Sequence, residues 1–418
     1  MLLILSCLLV GTLGEDPLSQ LLKSPQALLS SYQTFQLQNG KVYPTSELRL
    51  RLRLYRKAVE FVLSQNKLHG DEWQSGLNFM SDLSAEERRQ YLGFNATALL
   101  GHELAASAEI PSSEGLSVPS SFSWLDKGAV TPPKDQAKCG SCWAFSATAA
   151  LEAAYKTNSG KLKSLSEQEY LDCVYPLDKR QNGCDGGYYF TAWDYNKKNA
   201  RMGRSRDRVY TARPGKCSNL PENSLKSYSV TGYIAMPNRN EKDTLLGITK
   251  NVLSVAIEVT QTFSAYKSGI LRDNTCAHNS NHAVAAVGFT PQYILVKNSW
   301  GTRWGDRGFV KFARNHHGCE LHKFTAYPTL KPTNKADSDP VDAPTVYDPE
   351  NREGPTDPYN PGPEPPCEDT KSWCGPDYCG TSYDKYCRKT CGKCTDDSSC
   401  PEGTVKCPDG KCKHVHMC

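Results

Sequence analysis

The stretch Gln136-Ala137-Lys138-Cys139-Gly140-Ser141-Cys142-Trp143-Ala144-Phe145 decides how the rest of this 418-residue chain is read. It sets two cysteines three positions apart at the head of residues 142–155, which read as a helix broken at Asn158 to Gly160. A thiol at the start of such a helix lies in the partial positive charge of its N-terminus, which favours the thiolate. Cys139-x-x-Cys142 also has the spacing of a redox pair, but nothing thioredoxin-like surrounds it. His282 lies 140 residues after Cys142 and Asn298 lies 156 after, the separation at which a nucleophilic cysteine of this signature finds its base and the amide that orients it. Alone, His282 would read as a packed core histidine, and Asn298 and Trp300 as a turn and a core aromatic. Within Asn281-His282-Ala283-Val284 and Lys297-Asn298-Ser299-Trp300-Gly301 they read as partners of the thiol. The chain has no nucleophilic-serine elbow and no HExxH helix.

Working outward, residues 1–14 are apolar, too short to span a bilayer, and end in small residues, as a signal peptide does. No later apolar run is long enough for a membrane helix, so a secreted or lysosomal protein is expected. Net charge is +4 without a long basic run, which argues against nucleic acid as a partner. Of 18 cysteines, Cys7 falls in the leader. The remaining odd number in an oxidising compartment leaves at least one thiol unpaired.

Four regions follow. Residues 15–116 hold no cysteine and are rich in Leu, Arg, Gln and Glu. Leu48 to Leu54 alternates Leu with Arg, which suggests a strand, yet the run from Pro44 to Gly70 contains no intervening Gly or Pro and reads as one long helix. Residues 117–330 carry Cys139 to Cys319. Residues 331–366 form a linker of ten prolines with eight acidic against three basic residues, expected to stay extended and mobile. Residues 367–418 pack ten cysteines into a small module that must be held by bridges rather than a core. Asn95-Ala96-Thr97 is an N-glycosylation sequon, with Asn95 the candidate acceptor.

Residues 15–330 resemble the papain family of cysteine proteases, and their first part resembles cathepsin L-like propeptides. The resemblance is carried in order by Val118-Pro119-Ser120, KGAVTPPKDQ, CGSCWAF, LSEQEYLDC (165–173), GCDGG (183–187), NHAVAAVGF (281–289) and KNSWGTRWGDRGF (297–309). It implies an α+β fold: a mainly helical lobe bearing Cys142, a β-barrel-like lobe bearing His282 and Asn298, and a cleft between them. It implies a cysteine endopeptidase made as a zymogen, with no cofactor and no metal, acting on protein and peptide substrates. A monomer is expected. Cys142 is then the nucleophile, His282 its base and acid, and Asn298 the residue that fixes the imidazole. Trp300 shields that bond, and the Gln136 amide with the Cys142 N–H forms the oxyanion hole. The family's bridges pair Cys139 with Cys184, Cys173 with Cys217 and Cys276 with Cys319, leaving Cys142 over.

The residues matching the family's main substrate pocket are Tyr188, Tyr189, Ala256, Ala283 and Phe324, with Gly187 and Trp300 also matching substrate-binding positions. No charge is expected to line the pocket, which should accept Leu or Val two residues before the cut. Phe324 at its floor should exclude larger or basic side chains. In the propeptide, Glu47, Arg51, Tyr55, Ala58, Val62 and Asn66 match a helix motif, and Gly76, Asn78 and Asp82 match the motif that follows it, with Met80 in a place more often Phe. The resemblance implies a segment that runs backwards through the cleft and blocks it. Acid, protonating residues such as Asp82, should loosen it and permit a cut near residue 117.

Cys367, Cys374, Cys379, Cys387, Cys391 and Cys394 resemble the ShK toxin-like (ShKT) domain. That implies the pairs Cys367–Cys394, Cys374–Cys387 and Cys379–Cys391, and a receptor, matrix or channel partner. Lys385-Tyr386 stands immediately before Cys387, not where channel-blocking toxins carry their Lys-Tyr pair, so docking or targeting is the expected role. Cys400, Cys407, Cys412 and Cys418 allow three pairings; with His414 and His416 a metal site is the alternative to bridges. Two rival functions are an inactive protease scaffold used for binding and a secreted ion-channel ligand acting through residues 367–394.

Overall fold

The computed structural model describes residues 16–94, 116–174, 183–218, 224–236 and 239–337, together with the backbone of 405–406 and 412–413. The leader, the sequon at Asn95 and the six ShKT-type cysteines lie outside the described residues. The chain divides into two units, Met1–Pro355 and Thr356–Cys418.

In the first unit, Asp16 and Ser24 each accept a first-turn backbone N–H and are each followed by proline, so each starts a helix: α1 (Pro17–Lys23) and α2 (Pro25–Gln38). The long glycine-free run forms α3 (Thr45–His69). The strand-like Leu–Arg alternation is overridden because Arg51, Tyr55, Val59 and Val62 recur at helical spacing and are buried, while Leu48 and Leu50 stay exposed. Leu28, Tyr32 and Phe35 of α2 meet Tyr55 and Val59 in a small apolar cluster. β1 (Trp73–Ser75) follows, and a capping box between Ser84 and Glu87 opens α4 (Ala85–Arg89).

After β2 (Phe122–Ser123) comes α5 (Cys142–Ser159), buried at every position from Cys142 to Tyr155. Its many alanines let neighbours approach from all sides. The helix continues past the expected break: Asn158 and Ser159 donate back to the Ala154 and Tyr155 carbonyls, and Gly160, at φ 74°, caps it. The remaining elements are α6 (Glu167–Cys173), α7 (Tyr189–Asn199), β3 (Tyr228–Ala235), α8 (Glu241–Lys250), β4 (Leu253–Ile257), α9 (Gln261–Ser264), β5 (Tyr266–Leu271), β6 (His282–Phe289), β7 (Tyr293–Lys297), β8 (Phe309–Ala313) and β9 (Thr325–Pro332).

The strands join in the order β1-β5-β8-β7-β6-β4-β9-β3, with β2 on β6. The β5–β8 pair is parallel and the others are antiparallel. This mixture of a helical half and a sheet half is the α+β papain-like architecture. The N-terminal segment is built into it, since β1 forms the sheet edge against β5 with Trp73 opposite Gly269. A Cβ on Gly269 would lie 2.5 Å from the Trp73 Cα, so that approach needs glycine.

The linker begins later than expected. β9 extends through Pro332, and the Asp337 carboxylate accepts from the Lys226 and Ser227 N–H groups, the Ser227 hydroxyl and the Tyr155 hydroxyl. Residues 331–337 are therefore part of the folded body. The second unit contributes one described ladder, β10 (Val405–Lys406) antiparallel to β11 (Cys412–Lys413).

Candidate active site

Three local features bring the predicted residues together. Cys142 is the first residue of α5, His282 the first of β6, and Asn298 follows β7, the neighbour of β6. Cys142 is fully buried and unbridged, while Cys139–Cys184, Cys173–Cys217 and Cys276–Cys319 are joined. The Ala283 N–H donates to the Cys142 sulfur at 3.4 Å, placing the head of β6 against it. His282 Nε2 donates to Asn298 Oδ1 at 2.8 Å, and the Ser299 N–H holds the same oxygen at 2.8 Å. The other ring nitrogen of His282 is buried and makes no hydrogen bond among the described residues. The Trp300 ring lies 4.8 Å from the imidazole, centroid to centroid, and is itself buried.

Gln136 is fixed from both sides. Its backbone N–H donates to the Ser299 carbonyl, and the Ser299 hydroxyl donates to its Oε1 at 2.6 Å. Its amide nitrogen donates to the Cys139 carbonyl at 2.7 Å and to the Tyr91 carbonyl at 3.0 Å.

Tyr91 belongs to the N-terminal segment, which covers the site. The Gly187 N–H donates to the Gly93 carbonyl at 2.8 Å, and the Phe94 N–H donates to the Asn281 carbonyl at 3.0 Å. Phe94 pairs with Gly187 as a parallel bridge. A Cβ on Gly93 would stand 1.7 Å from the Gly140 carbonyl oxygen, so only glycine passes there. Burial pushes the Cys142 thiol up to about 11, against opposing hydrogen bonds from the Ala283 and Gly93 backbones. Burial also pushes His282 down to about 4, partly offset by Asn298. Covered in this way, the pair is held neutral rather than as the ion pair expected of a working site.

The residues matched to the substrate pocket also converge. Phe94 places its ring 5.8 Å from that of Tyr189 and 5.6 Å from that of Phe324. Tyr189 OH donates to the Phe324 carbonyl at 2.7 Å, and the Ala256 N–H donates to the same oxygen at 3.2 Å. Ala256 faces Ala283 across β4 and β6, and Tyr188 is the buried N-cap of α7. The Phe94 ring packs against Phe324, and Arg239 and Lys323 stack over the Phe324 ring at 5.9 and 5.6 Å.

The segment Tyr91-Leu92-Gly93-Phe94 escaped sequence reasoning. Its grip is largely through backbone groups, which leave no periodic pattern, and the one local signal is an isolated glycine between apolar residues. Asp82 is fully buried, where it takes Lys41 and a hydrogen bond from Tyr32. Among the described residues, Cys276, His317 and Cys319 have ligand atoms within 4.8 Å of one another, but the two sulfurs are joined in a disulfide and offer no thiolate. No described helix is long and apolar enough to cross a membrane.

Residues 118–329 match the family described as papain family cysteine protease. Among curated proteins, the chain is 34% identical over 332 residues to cysteine protease XCP2 of Arabidopsis thaliana, covering 77% of this chain and 90% of that one. It is 35% identical over 318 residues to chymopapain of Carica papaya, covering 73% and 88%. Among solved structures, digestive procathepsin L2 from the Tenebrio molitor larval midgut matches with a TM-score of 0.64 at 29% identity, covering 72% of this chain and 99% of that one. The recombinant stem bromelain precursor matches at 0.61 and 30%, covering 72% and 98%.

Proposed function

The chain belongs to the papain family of cysteine proteases and is the zymogen of a cysteine endopeptidase; from that premise we propose how its own residues do the work. Cys142 attacks the carbonyl carbon of the scissile peptide bond as a thiolate. The resulting oxyanion takes hydrogen bonds from the Gln136 amide and the Cys142 N–H, each such donor worth about 2.7–4 kcal/mol in the transition state. His282, as imidazolium, gives its proton to the leaving amine. The acyl-enzyme then reacts with a water whose proton His282 accepts, and the thiol is released. Asn298 fixes the ring orientation, and Trp300 keeps water from that bond.

The observation that carries this reading is an unbridged sulfur at a helix start, 3.4 Å from the N–H beside a histidine that is bonded to Asn298. The test is a peptide-hydrolysis assay of acid-activated enzyme beside its Cys142→Ala form, with an epoxide label for the thiol. Activity should fall by about 10⁴-fold or more, and the label should vanish. Equal activity in the two forms would end the assignment.

The pocket of Gly187, Tyr188, Tyr189, Ala256, Ala283 and Phe324 selects apolar side chains two residues before the cut, Leu and Val as well as Phe. The Phe94 ring packed between Tyr189 and Phe324 supports including Phe. A peptide library preferring Arg there would refute this. Residues 15–116 act as the inhibitory propeptide, removed by a cut near residue 117. The chain enters the secretory route through residues 1–14 and works outside the cell or in the lysosome. Residues 367–394 form an ShKT-like docking module with the three bridges named above, joined to the enzyme by the acidic proline-rich linker. Loss of binding to extracellular matrix on deleting 367–418, with peptide hydrolysis unchanged, is the expected result.

A further inference from the structure

Tyr210 lies between α7 and β3, outside every motif that identifies the active site, yet its hydroxyl touches both sides of it. It donates to the Gln136 carbonyl at 2.8 Å and lies 2.6 Å from the Ser141 hydroxyl. A phenol has one proton, which goes to the carbonyl, so Ser141 must donate into the phenol oxygen. Ser141 is the N-cap of α5. A serine there usually accepts an N–H of its own helix, but this one makes no side-chain cap bond. Its hydroxyl is committed to Tyr210 instead. The Tyr210 ring is held edge-on against Phe145 at 4.9 Å, so the hydroxyl is presented by a side chain anchored on α5 itself.

Gln136 and Cys142 bound the loop that carries the two proposed oxyanion donors. That loop has no regular structure of its own and includes Ala137 at φ 50°. Its ends are tied by Tyr210, one through the Gln136 carbonyl and one through Ser141, the residue before Cys142. We propose that Tyr210 is a positioning residue for catalysis, a clamp that sets the spacing between the Gln136 amide and the Cys142 N–H so that both reach one oxyanion. The inference rests on the protease reading above. Donors act only over a few tenths of an ångström, and a misplacement near 1 Å can cost on the order of 10²-fold in rate.

The experiment compares acid-activated wild type, Tyr210→Phe, Ser141→Ala and the double variant on one fluorogenic peptide. Tyr210→Phe keeps the ring and its contact with Phe145. Its kcat should fall by about tenfold with KM within about twofold. Affinity for a peptide aldehyde, whose adduct with the thiol carries the oxyanion, should fall in step, while alkylation of Cys142 by iodoacetamide, which forms no oxyanion, keeps its rate. Ser141→Ala should move in the same direction, and the double variant should be no worse than the worse single one, as expected for two ends of one linkage. Wild-type kcat and aldehyde affinity in Tyr210→Phe would overturn the clamp, as would alkylation slowed as much as turnover. Should Tyr210→Phe fail to fold, Ser141→Ala decides by the same two probes. A wild-type enzyme that is inert and takes no label at Cys142 counts against the protease reading itself, and the clamp falls with it.

Discussion

The cover and the body of this zymogen are both held by charge, but in different ways. In the body, Lys134 meets Glu152 at 2.9 Å and Glu167 at 2.6 Å, and both carboxylates are buried. Lys297, next to Asn298, donates to Thr131, which donates on to Glu152. Burial pushes Lys297 down to about 8. In the cover, Arg51 bridges Glu47 and Glu87, whose side chains are 40% and 21% exposed, above an apolar cluster of only five buried residues. The Lys134 cluster is locked beneath the catalytic residues, whereas water reaches the carboxylates that Arg51 bridges, although the cover also holds the buried Lys41–Asp82 pair. Breaking a buried pair costs about 3–5 kcal/mol, whereas an exposed one contributes about 1 kcal/mol or less. The Arg51 bridges are thus the charges that are lost at least cost.

The sign of the proton linkage says where acid acts. Arg51 holds Glu87 down at about 2. A depressed carboxylate stabilises fully above its ordinary value and loses that contribution progressively as pH falls from about 4.5 to about 2, so most of the Arg51 pair's contribution survives mild acid. His282 is also depressed, to about 4 from 6.5, by burial. Against an open cleft with no thiolate beside the imidazole, as in a Cys142→Ala form, the covered state loses stability as pH falls from 6.5 to 4, by on the order of 3 kcal/mol at most. Where the open site holds the ion pair, opening takes up no net proton and this dependence cancels. Burial likewise holds the Cys142 thiol protonated up to about 11, so the thiolate forms only when the cover leaves. The covered imidazole is one place where acid acts on the cover.

The cover is tightest at Gly93. Gly93→Ala should unseat the cover, because its Cβ would meet the Gly140 carbonyl at 1.7 Å. Unprocessed zymogen should then hydrolyse peptide at neutral pH about 100-fold faster than wild type; an equally silent variant would show that the close approach does not hold the cover. Next comes the acid step. In a Cys142→Ala zymogen, the opening constant from hydrogen exchange at Gly93 and Phe94, corrected for the intrinsic exchange rate at each pH, should rise by about 10²-fold from pH 6.5 to 4. Adding His282→Gln should flatten that rise, and an unchanged rise would return the trigger to the carboxylates. Phe94→Ala, which empties the pocket between Tyr189 and Phe324 without opening a clash, should raise neutral zymogen activity by about tenfold. The smallest effect tests the body. Burial pushes Asp337 up, but the hydrogen bonds from Ser227, Tyr155 and the Lys226 and Ser227 N–H groups outweigh it and hold the carboxyl below its usual range. Asp337→Ala should lower stability by about 1–3 kcal/mol, seen as a drop in Tm, with peptide hydrolysis unchanged. For wild type this contribution fades as pH falls below the ordinary aspartate range.

The reacting groups were legible because their chemistry demands particular residue types in order: Cys142, His282 and Asn298 come together in the fold at 140- and 156-residue separations. The two lobes followed from the motifs around them. What remained hidden depends on backbone or on single hydroxyls. Gly93 is recognised by what a Cβ would strike, Tyr210 by a bond to a carbonyl and a diverted cap, and Asp337 by four donors gathered from α5 and the two residues before β3. None of these has a period or a spacing to read. Where pattern did mislead, at Leu48 to Leu54, the alternation covered seven residues and the helical stripe from Arg51 to Val62 covered twelve, and the longer pattern prevailed.

The seating of β2 on β6 has a kinetic consequence. Phe122 pairs with Phe289, at the far end of the strand that begins with His282. Seven residues of strand separate the two ends, about 23 Å at 3.3 Å per residue, and the chain preceding Phe122 continues away from the sulfur. With the cut near residue 117 proposed above, a molecule with β2 in register holds that bond away from its own thiol. Processing by a neighbouring molecule is then expected, with a sigmoidal time course whose lag shortens as the concentration is raised.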